Sequence, residues 1–314
     1  MREDIATSTS PLLKWRSWYS SKGGQRLLVP IVFLFPSLLI YVVFVIGTMV
    51  YSLVLSFTNW DGISRTFNFI GLVNYFKLFN DAQFYNAIKN NLIWVVISLL
   101  LPMFLGLLLA VLIDRQIRGE NTFKSIFYLP MTISFVVIAV IWSWVYEPNL
   151  GILNTFLRAI GLGFLSRAWL ANQSTALFSI IIAASWQLTG YSMVLFLAGL
   201  RNISPELIEA AKLDGANSWQ SFWHVIFPML RSVRTVVIGT ILINSFRVFD
   251  LVFAMTKGGP GNASNVLAMF MYREAFLKYR MSYGSTIAVI QFVIILIIMV
   301  MYLRRAMKAE EEVY

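Results

Sequence analysis

The chain has 314 residues, of which 58% are hydrophobic and only 13% charged, and its mean hydropathy is +0.72. Soluble domains carry about 25% charged residues, so this composition excludes an ordinary soluble protein and predicts an integral membrane protein. The net charge of +10 lies mainly at the ends of apolar runs, which favours control of membrane topology over nucleic-acid binding. The absence of Cys and the single histidine, His224, exclude disulfides, thiolate metal sites and a histidine cluster, and no metal site is predicted.

Six apolar runs follow a polar and basic N-terminal stretch. They cover residues 28–57, 87–113, 126–146, 176–200, 233–255 and 285–303. Each is close to or above the ~20 residues that an α-helix needs to cross the hydrocarbon core. The runs show no alternating barrel pattern, so they are predicted to be helices. The sequence therefore predicts an all-α integral membrane protein, with a six-helix domain over residues 28–305 and tails at residues 1–27 and 306–314.

The predicted topology follows from the distribution of basic residues. Six spans place both termini on one side, and Lys and Arg are more numerous in the tails and in the second and fourth loops. The positive-inside rule then predicts that both termini are cytoplasmic and that the first, third and fifth loops face outward. The aromatic residues Trp142, Trp144 and Tyr146 fit either an aromatic belt at the outer membrane surface or packing between helices.

A polar insert (residues 204–228) separates the fourth and fifth runs. Ser204, followed by proline, predicts a helix N-terminus. Gly215 predicts the end of that helix, because glycine tolerates the left-handed conformation that helix termini often need. Ser218 is expected to cap a second short helix. This pattern fits either an amphipathic hairpin that anchors the bundle at the membrane surface or a docking element for a partner.

Polar side chains inside the spans mark candidate functional sites, because burying them in lipid is costly. Arg247 lies about eight residues from the outer end of the fifth run, which places it near the membrane midplane. Asp250 follows at i+3 and is a natural partner on the same helix face. The pair is interpreted either as a structural ion pair or as part of the solute pathway.

The polar insert also carries a family resemblance. Its residues Glu209-Ala210-Ala211, then Gly215, then an apolar segment ending in Phe227-Pro228, resemble the EAA loop of binding-protein-dependent ABC importer permeases, in the form of the sugar-permease branch. Two positions depart mildly, with Val225 and Phe227 where the family usually has Ile and Leu.

Two further segments extend the resemblance over residues 28–305. They are Gly71-Leu-Val-Asn-Tyr-Phe, and Thr256-Lys-Gly-Gly-Pro-Gly just after the fifth run. The second resembles the first-type permease of maltose and glycerol-phosphate importers. In such a protein the loop Lys257–Asn262, which we call the Gly-Pro loop, would face outward, close to the solute-binding protein. It is interpreted either as a mobile loop or as a plain turn after a helix.

The resemblance implies the type I ABC importer permease fold, with a coupling loop over residues 201–230 seated in a cleft of a cytoplasmic ATPase. The ATPase-coupling residues that it implies are Glu209, Ala210, Ala211, Asp214, Gly215 and Pro228. This chain has no G-x-x-x-x-G-K-[ST] phosphate loop, so ATP and Mg²⁺ are expected on the partner ATPase. No catalytic residue and no cofactor is predicted on this chain.

The resemblance also implies a solute pathway, because solute contacts in the maltose-type permease come from helices that match the fourth and fifth spans. The matched positions, together with the charged pair, are Gln187, Leu188, Tyr191, Asn244, Ser245, Arg247, Val248 and Asp250. An aromatic face with amide and hydroxyl groups suits a carbohydrate or polyol. The expected function is import of a sugar or sugar-like solute, such as an oligosaccharide, a glycoside osmolyte or glycerol phosphate, across a bacterial inner membrane.

The expected partners are a second homologous permease, two cytoplasmic ATPase subunits, an extracytoplasmic solute-binding protein and membrane lipid, with no nucleic acid. Three alternatives stay open. A stand-alone secondary transporter would favour protonatable carboxylates deep in the spans, where Asp250 is the evident one, and would leave the EAA loop unexplained. A scaffold subunit would have no pathway. An intramembrane enzyme is disfavoured by the lack of Cys, by the single histidine and by the absence of a carboxylate cluster.

Overall fold

The computed structural model describes residues 22–114 and 119–311. Within these residues the regular structure is helical, apart from one isolated antiparallel bridge between Thr58 and Phe69. The chain divides into two compact units, Met1–Val54 and Leu55–Tyr314. Most of the predicted N-terminal tail lies outside the described residues, but its last part, from Lys22, is already helical. The predicted C-terminal tail is helical as far as Glu311.

Fourteen helices are used here to describe the fold. The first unit contains α1 (Lys22–Tyr41), a π-helical turn (Val42–Ile46) and all but the last two residues of α2 (Gly47–Ser56). The second unit continues with α3 (Val73–Phe79), α4 (Ala82–Asp114), α5 (Glu120–Tyr128), α6 (Phe135–Val145), α7 (Ile152–Ala159), α8 (Ala176–Arg201), α9 (Pro205–Leu213), α10 (Ser218–Met229), α11 (Arg231–Phe246), α12 (Asp250–Met255), α13 (Leu267–Tyr272) and α14 (Met281–Glu311).

The described residues contain four continuous helical segments that are long and apolar enough to cross a membrane. They are Pro30–Ser56, Ala82–Asp114, Ala176–Arg201 and Met281–Lys308. Two bent pairs of helices raise the number to six if each pair counts as one span. The six predicted spans therefore have their counterparts, but the third and the fifth are not the straight helices that hydropathy predicts.

The third predicted span, residues 126–146, is broken. A 3₁₀ turn (Leu129–Thr132) follows α5, and the chain bends by 107° before α6 begins. Pro130 lies in this turn, where it has no N–H to donate and restricts the residue before it. Ser134 is the N-cap of α6, and its side chain accepts a hydrogen bond from the N–H of Val137.

The fifth predicted span, residues 233–255, is broken as well. The helix α11 ends at Phe246, three residues are non-helical, and α12 begins at Asp250. At its other end α11 meets α10 at an angle of 66°. The break lies within an apolar segment, where free backbone groups must find partners inside the protein.

The centre of the second unit is the pair α4 and α8, which run parallel to each other. A Cβ at Gly106 would lie 2.5 Å from the Cβ of Ser192, so the glycine permits the close approach of the two helices. Buried side chains form one cluster around Trp94 and Ile180, near the start of both helices, and a second around Phe196 and Leu230, near their ends. The polar insert follows the second cluster, and we call that side of the unit the insert end.

Candidate functional site

The polar insert folds into a helical hairpin made of α9 and α10. Gly215 has a φ of +88°, its N–H donates to the carbonyl of Lys212 at 3.0 Å, and the N–H of Ala216 donates to that of Ala211 at 2.9 Å. These two bonds form a Schellman motif, in which a left-handed residue closes the helix C-terminus. The predicted end of this helix at Gly215 is confirmed.

The start of each hairpin helix differs in part from the prediction. Ser204 is the N-cap of α9, as predicted, but its side chain makes no capping hydrogen bond. The cap of α10 is Asn217, one residue before the predicted Ser218. Asn217 Oδ1 accepts from the N–H of Gln220, and Gln220 Oε1 accepts from the N–H of Asn217, both at 2.9 Å. This reciprocal capping box satisfies two backbone donors, which a serine alone does not.

The hairpin is attached to the bundle on one side and exposed on the other. Ile208 and Ile226 pack against the buried cluster at the insert end. No residue of α9 is fully buried, and Leu213, at its end, is 90% exposed. Five of the six predicted coupling residues are exposed and Ala211 is half-buried, the exposed ones being Glu209, Ala210, Asp214, Gly215 and Pro228. The structure thus presents the predicted coupling residues on a surface that is open to contact.

The joint between α10 and α11 is tightly packed. Leu230, at the bend, is only 1% exposed. A Cβ at Gly199 of α8 would lie 2.9 Å from Leu230 Cδ2 and 2.7 Å from Val233 Cγ2, so the glycine forms the notch that holds this joint. The hairpin and α11 are therefore joined by close packing and not by a free linker.

A cleft of about 210 Å³ lies beside the break at the other end of α11. It is lined by Trp94, Phe135, Ala184, Leu188, Asn244, Ser245, Arg247, Val248, Phe249, Asp250 and Leu251. Six of the eight predicted pathway residues are among them: Leu188, Asn244, Ser245, Arg247, Val248 and Asp250. The structure therefore brings most of the predicted set together around one cavity.

The other two predicted pathway residues are not among the cleft-lining residues. Gln187 Nε2 donates to the carbonyl of Ile133 at 2.8 Å, which ties α8 to the break between α5 and α6. Tyr191 donates its hydroxyl proton to Thr240 Oγ1 at 3.0 Å, which ties α8 to α11. Both polar groups hold helices together in this structure.

The predicted pairing of Arg247 with Asp250 is wrong in this structure. It rests on i, i+3 geometry within one helix, but α11 ends at Phe246 and α12 begins at Asp250. Both side chains are exposed, and none of the ion pairs in the described part of the chain joins them. Arg247 also lines a neighbouring cavity of about 300 Å³, together with Tyr272 and Gln291.

The break in α11 is stabilised by two amide side chains that the sequence reasoning missed. Asn91 Nδ2, from α4, donates to the carbonyl of Ser245 at 3.1 Å, and Gln291 Nε2, from α14, donates to that of Phe246 at 2.8 Å. These carbonyls have no partner within the helix, because the last turn of a helix leaves its acceptors free. An amide in an apolar run is itself a signal that a polar partner lies nearby.

The Gly-Pro loop is held by a second group of amides. Asn86 Nδ2 donates to the carbonyl of Asn262 at 2.8 Å, while Asn90 Nδ2 donates to those of Ala263 and Asn265 at 3.0 and 2.8 Å. Four loop residues have positive φ values: Lys257, Gly258, Gly261 and Asn262. The loop, interpreted as mobile or as a plain turn, is thus fixed to α4 by side-chain hydrogen bonds, in a backbone path that needs several left-handed residues.

Substitution of Asn91 tests this account of the break. Asn91 is 1% exposed, and its Oδ1 also accepts the N–H of Leu267 at 2.7 Å. Asn91→Leu leaves two buried backbone groups unpaired, and we expect the free energy of unfolding to fall by roughly 2 kcal/mol. Detergent-induced unfolding in mixed micelles measures it. Asn244→Leu is the matched control, because the exposed amide of Asn244 makes no hydrogen bond within the described residues. An equal loss in both variants would contradict the proposed role.

The three aromatic residues near the end of α6 have different roles. Trp144 is exposed, as expected of a residue at the membrane surface. Tyr146 is buried, and its hydroxyl donates to the carbonyl of Ser179 at 3.1 Å. Trp142 is half-buried and lies against Tyr146 and Trp186. Packing between helices, the alternative interpretation, therefore holds for Trp142 and Tyr146, and the aromatic belt stays a prediction for Trp144.

Comparison with known proteins agrees with this architecture. One structural neighbour is a subunit of a bacterial ABC transporter involved in the import of the acidic polysaccharide alginate. It superimposes on this chain with a TM-score of 0.78 at 23% sequence identity, over 94% of this chain and 98% of the neighbour. A probable ABC transporter permease of Pyrococcus horikoshii is 37% identical over 90% of this chain and 96% of its own.

Two further relatives have more specific names. The osmoprotective compounds uptake permease protein GgtC of Synechocystis is 41% identical over 88% of this chain and 98% of its own. The alpha-glucoside transport system permease protein AglF of Rhizobium meliloti is 36% identical over 88% of this chain and 82% of its own length. The profile of one family, described as "Binding-protein-dependent transport system inner membrane component", matches residues 102–309. This chain belongs to the family of inner membrane components of binding-protein-dependent ABC transport systems.

Proposed function

We propose that this chain forms the translocation pathway of an ATP-driven importer for a sugar or sugar-like solute. The observation that carries the proposal is the cleft at the broken helix α11. Its partly exposed aromatic rings, from Phe135 and Phe249, offer faces on which a pyranose ring packs, and Asn244 offers an unpaired amide. Apolar walls with a few placed polar groups are typical of small-molecule sites.

The named relatives support this class of solute. Their names refer to osmoprotective compounds and alpha-glucosides, and the structural neighbour imports alginate. Ser245 adds to the polar groups of the cleft, since its buried Oγ has no hydrogen-bond partner within the described residues. A hydroxyl-rich solute would supply such a partner, which an apolar solute would not.

We further propose how ATP hydrolysis on a partner reaches this cleft. The exposed hairpin, with Glu209–Gly215 at its turn, docks on a cytoplasmic ATPase. Displacement of the hairpin passes through the packed joint at Leu230 into α11. The far end of α11 is the break that forms one wall of the cleft, so the same helix connects the docking surface with the solute. No phosphate-binding loop occurs in the sequence, which supports a separate ATPase.

The orientation and the remaining partners complete the proposal. The basic residues near the insert end support a cytoplasmic position for that end and for both termini. A second permease and two ATPase subunits complete the complex. The structural neighbour has been solved with an alginate pentasaccharide-bound periplasmic protein. By analogy, a solute-binding protein contacts this chain at the end opposite the insert.

Cross-linking tests the docking surface. The chain has no cysteine, so Ala210→Cys places a single photoactivatable label on the exposed face of α9. We expect an adduct with a polypeptide that is also labelled by azido-ATP, since the hairpin would lie against the ATPase. Thr66→Cys, in the exposed first loop at the other end of the unit, is the matched control and should give no such adduct. An ATP-binding adduct from Thr66, or none from Ala210, would contradict the proposal.

Transport itself is tested with the chain and its co-purified subunits in liposomes. We expect uptake of a sugar or polyol that requires ATP and the binding protein. Uptake driven by a proton gradient without ATP would instead indicate a secondary transporter.

A further inference from the structure

The third loop contains a short helix with an exposed apolar stripe and a buried asparagine on the opposite side. In α7, Ile152, Phe156 and Ile160, which follows the last turn, are 71%, 59% and 51% exposed. They are spaced by four residues and so form one stripe along the helix. Asn154, on the opposite side, is 1% exposed. The apolar stripe thus faces away from the protein, while Asn154 faces toward it.

The inward side of α7 is fixed by hydrogen bonds to the rest of the loop. Asn154 Nδ2 donates to the carbonyls of Pro148 and Arg167 at 3.0 and 2.9 Å, and Asn154 Oδ1 accepts from Trp169 Nε1 at 2.8 Å. Arg158 donates to the carbonyl of Asn149. These bonds hold the helix in this rotation, so the exposed stripe is a built feature of the loop.

The turn before α7 extends the apolar surface. Glu147 accepts the N–H groups of Leu150 and Asn149, and the bond from Leu150 lowers the pKa of its carboxyl below the usual value. This turn directs Leu150 outward, where it is 88% exposed, and Phe164 is similarly exposed beyond the helix. Leu150, the stripe and Phe164 together form what we call the α7 patch.

We propose that the α7 patch inserts into the interface of the phospholipid bilayer at the end opposite the insert. The preceding helix α6, which contacts α7, also exposes apolar side chains, namely Val136, Val140 and Trp144. Tryptophan prefers the level of the lipid headgroups. With eight residues, α7 is about 12 Å long, too short to span ~30 Å of hydrocarbon, so it lies in the membrane plane.

The charges around the patch also fit a lipid surface. Arg158 and Arg167 flank it, and Arg167 stacks on the ring of Trp169 at 5.5 Å. Basic and aromatic residues beside an apolar helix face are typical of helices that bind at a membrane interface. Membrane insertion would fix the position of the third loop along the membrane normal. It would also hold the adjoining end of α6 against the start of α8.

Single-cysteine labelling tests the proposal on the full-length chain. Ile152→Cys, Phe156→Cys and Ile160→Cys each receive a nitrobenzoxadiazole label, and the chain is reconstituted with its partner subunits into phosphatidylcholine–phosphatidylglycerol vesicles. We expect doxyl-labelled lipid to quench these three labels roughly threefold more strongly than a label on the control variant Thr66→Cys, with aqueous iodide giving the reverse order. Thr66 lies in the exposed first loop.

Two results would overturn the proposal. Iodide quenching of the stripe labels equal to that of the Thr66 label would mean that the α7 patch faces water. Weak quenching by both reagents would mean that another protein subunit covers it. Neither result depends on which solute the complex carries, so this test is independent of the proposed function.

Discussion

Gly215→Asp is expected to reduce transport by roughly tenfold while leaving the protein in the membrane at wild-type amounts. The left-handed backbone at this position costs a non-glycine residue about 1 kcal/mol, which is too little to prevent folding. A Cβ here meets no atom within 4 Å, so the chain itself has room for the new side chain. The loss would therefore come from a close contact with the ATPase. Uptake and ATP hydrolysis by the reconstituted complex measure it.

A second glycine offers a matched control. Gly161 closes α7 with the same two hydrogen bonds, from its own N–H to the carbonyl of Arg158 and from the N–H of Leu162 to that of Leu157. It has a φ of +79° and also has open space around its Cβ position. Gly161→Ala places a side chain on the same left-handed backbone at the other end of the unit without adding a charge beside the α7 patch, so transport should change less than about twofold. Similar losses in both variants would assign the effect to strain rather than to docking.

The sequence predicts two kinds of feature in this fold: those that depend on the local chemistry of a few residues, and those that depend on hydropathy averaged over about twenty residues. Runs of about twenty apolar residues identify the spans, because the cost of leaving backbone groups unpaired in lipid allows only helices there. Gly215 is recognisable because a helix C-terminus favours a left-handed residue. A polar insert in an apolar chain predicts an exposed surface. The individual coupling residues on that surface were predicted from the family resemblance.

The breaks in the third and fifth spans could not be predicted from hydropathy. Pro130 gives a local signal for the first, since it removes a donor in the middle of an apolar run. The second has no such signal, and it depends on Asn91 and Gln291, which lie far away in the sequence and donate to the carbonyls at the end of α11. The wrong pairing of Arg247 with Asp250 has the same origin, because helical spacing has no meaning across a break.

These amides connect the predicted site with the fold. A helix that ends inside the membrane is costly unless its last carbonyls are paired, and the two amide donors make the ending at Phe246 stable. This ending leaves Arg247 outside the helix and separates it from Asp250, the first residue of α12, and the cleft lies beside the break. Because α11 stops at Phe246, one of its ends lies at the cleft, while its other end lies at the packed joint with the hairpin.

Asn244→Ala is expected to reduce the maximal uptake rate by roughly tenfold, while Tyr191→Phe should leave it within about twofold. The amide of Asn244 lies at the cleft without a hydrogen-bond partner among the described residues, so a bound sugar is its natural partner. The hydroxyl of Tyr191 is already bonded to Thr240 on a neighbouring helix. Removal of this hydroxyl would weaken a contact between helices but would remove no hydrogen bond to the solute.

The order of these two effects distinguishes two routes for the solute, one through the cleft at the break in α11 and one on the side of α8 that faces Thr240. Uptake is measured with the binding protein saturated, so that capture of the solute by that partner does not limit the rate. If Tyr191→Phe impaired uptake more than Asn244→Ala, the solute would pass on the side of α8 that faces Thr240, and the cleft at the break would lose its role. The expected order would instead place the solute where α11 ends, at the cleft.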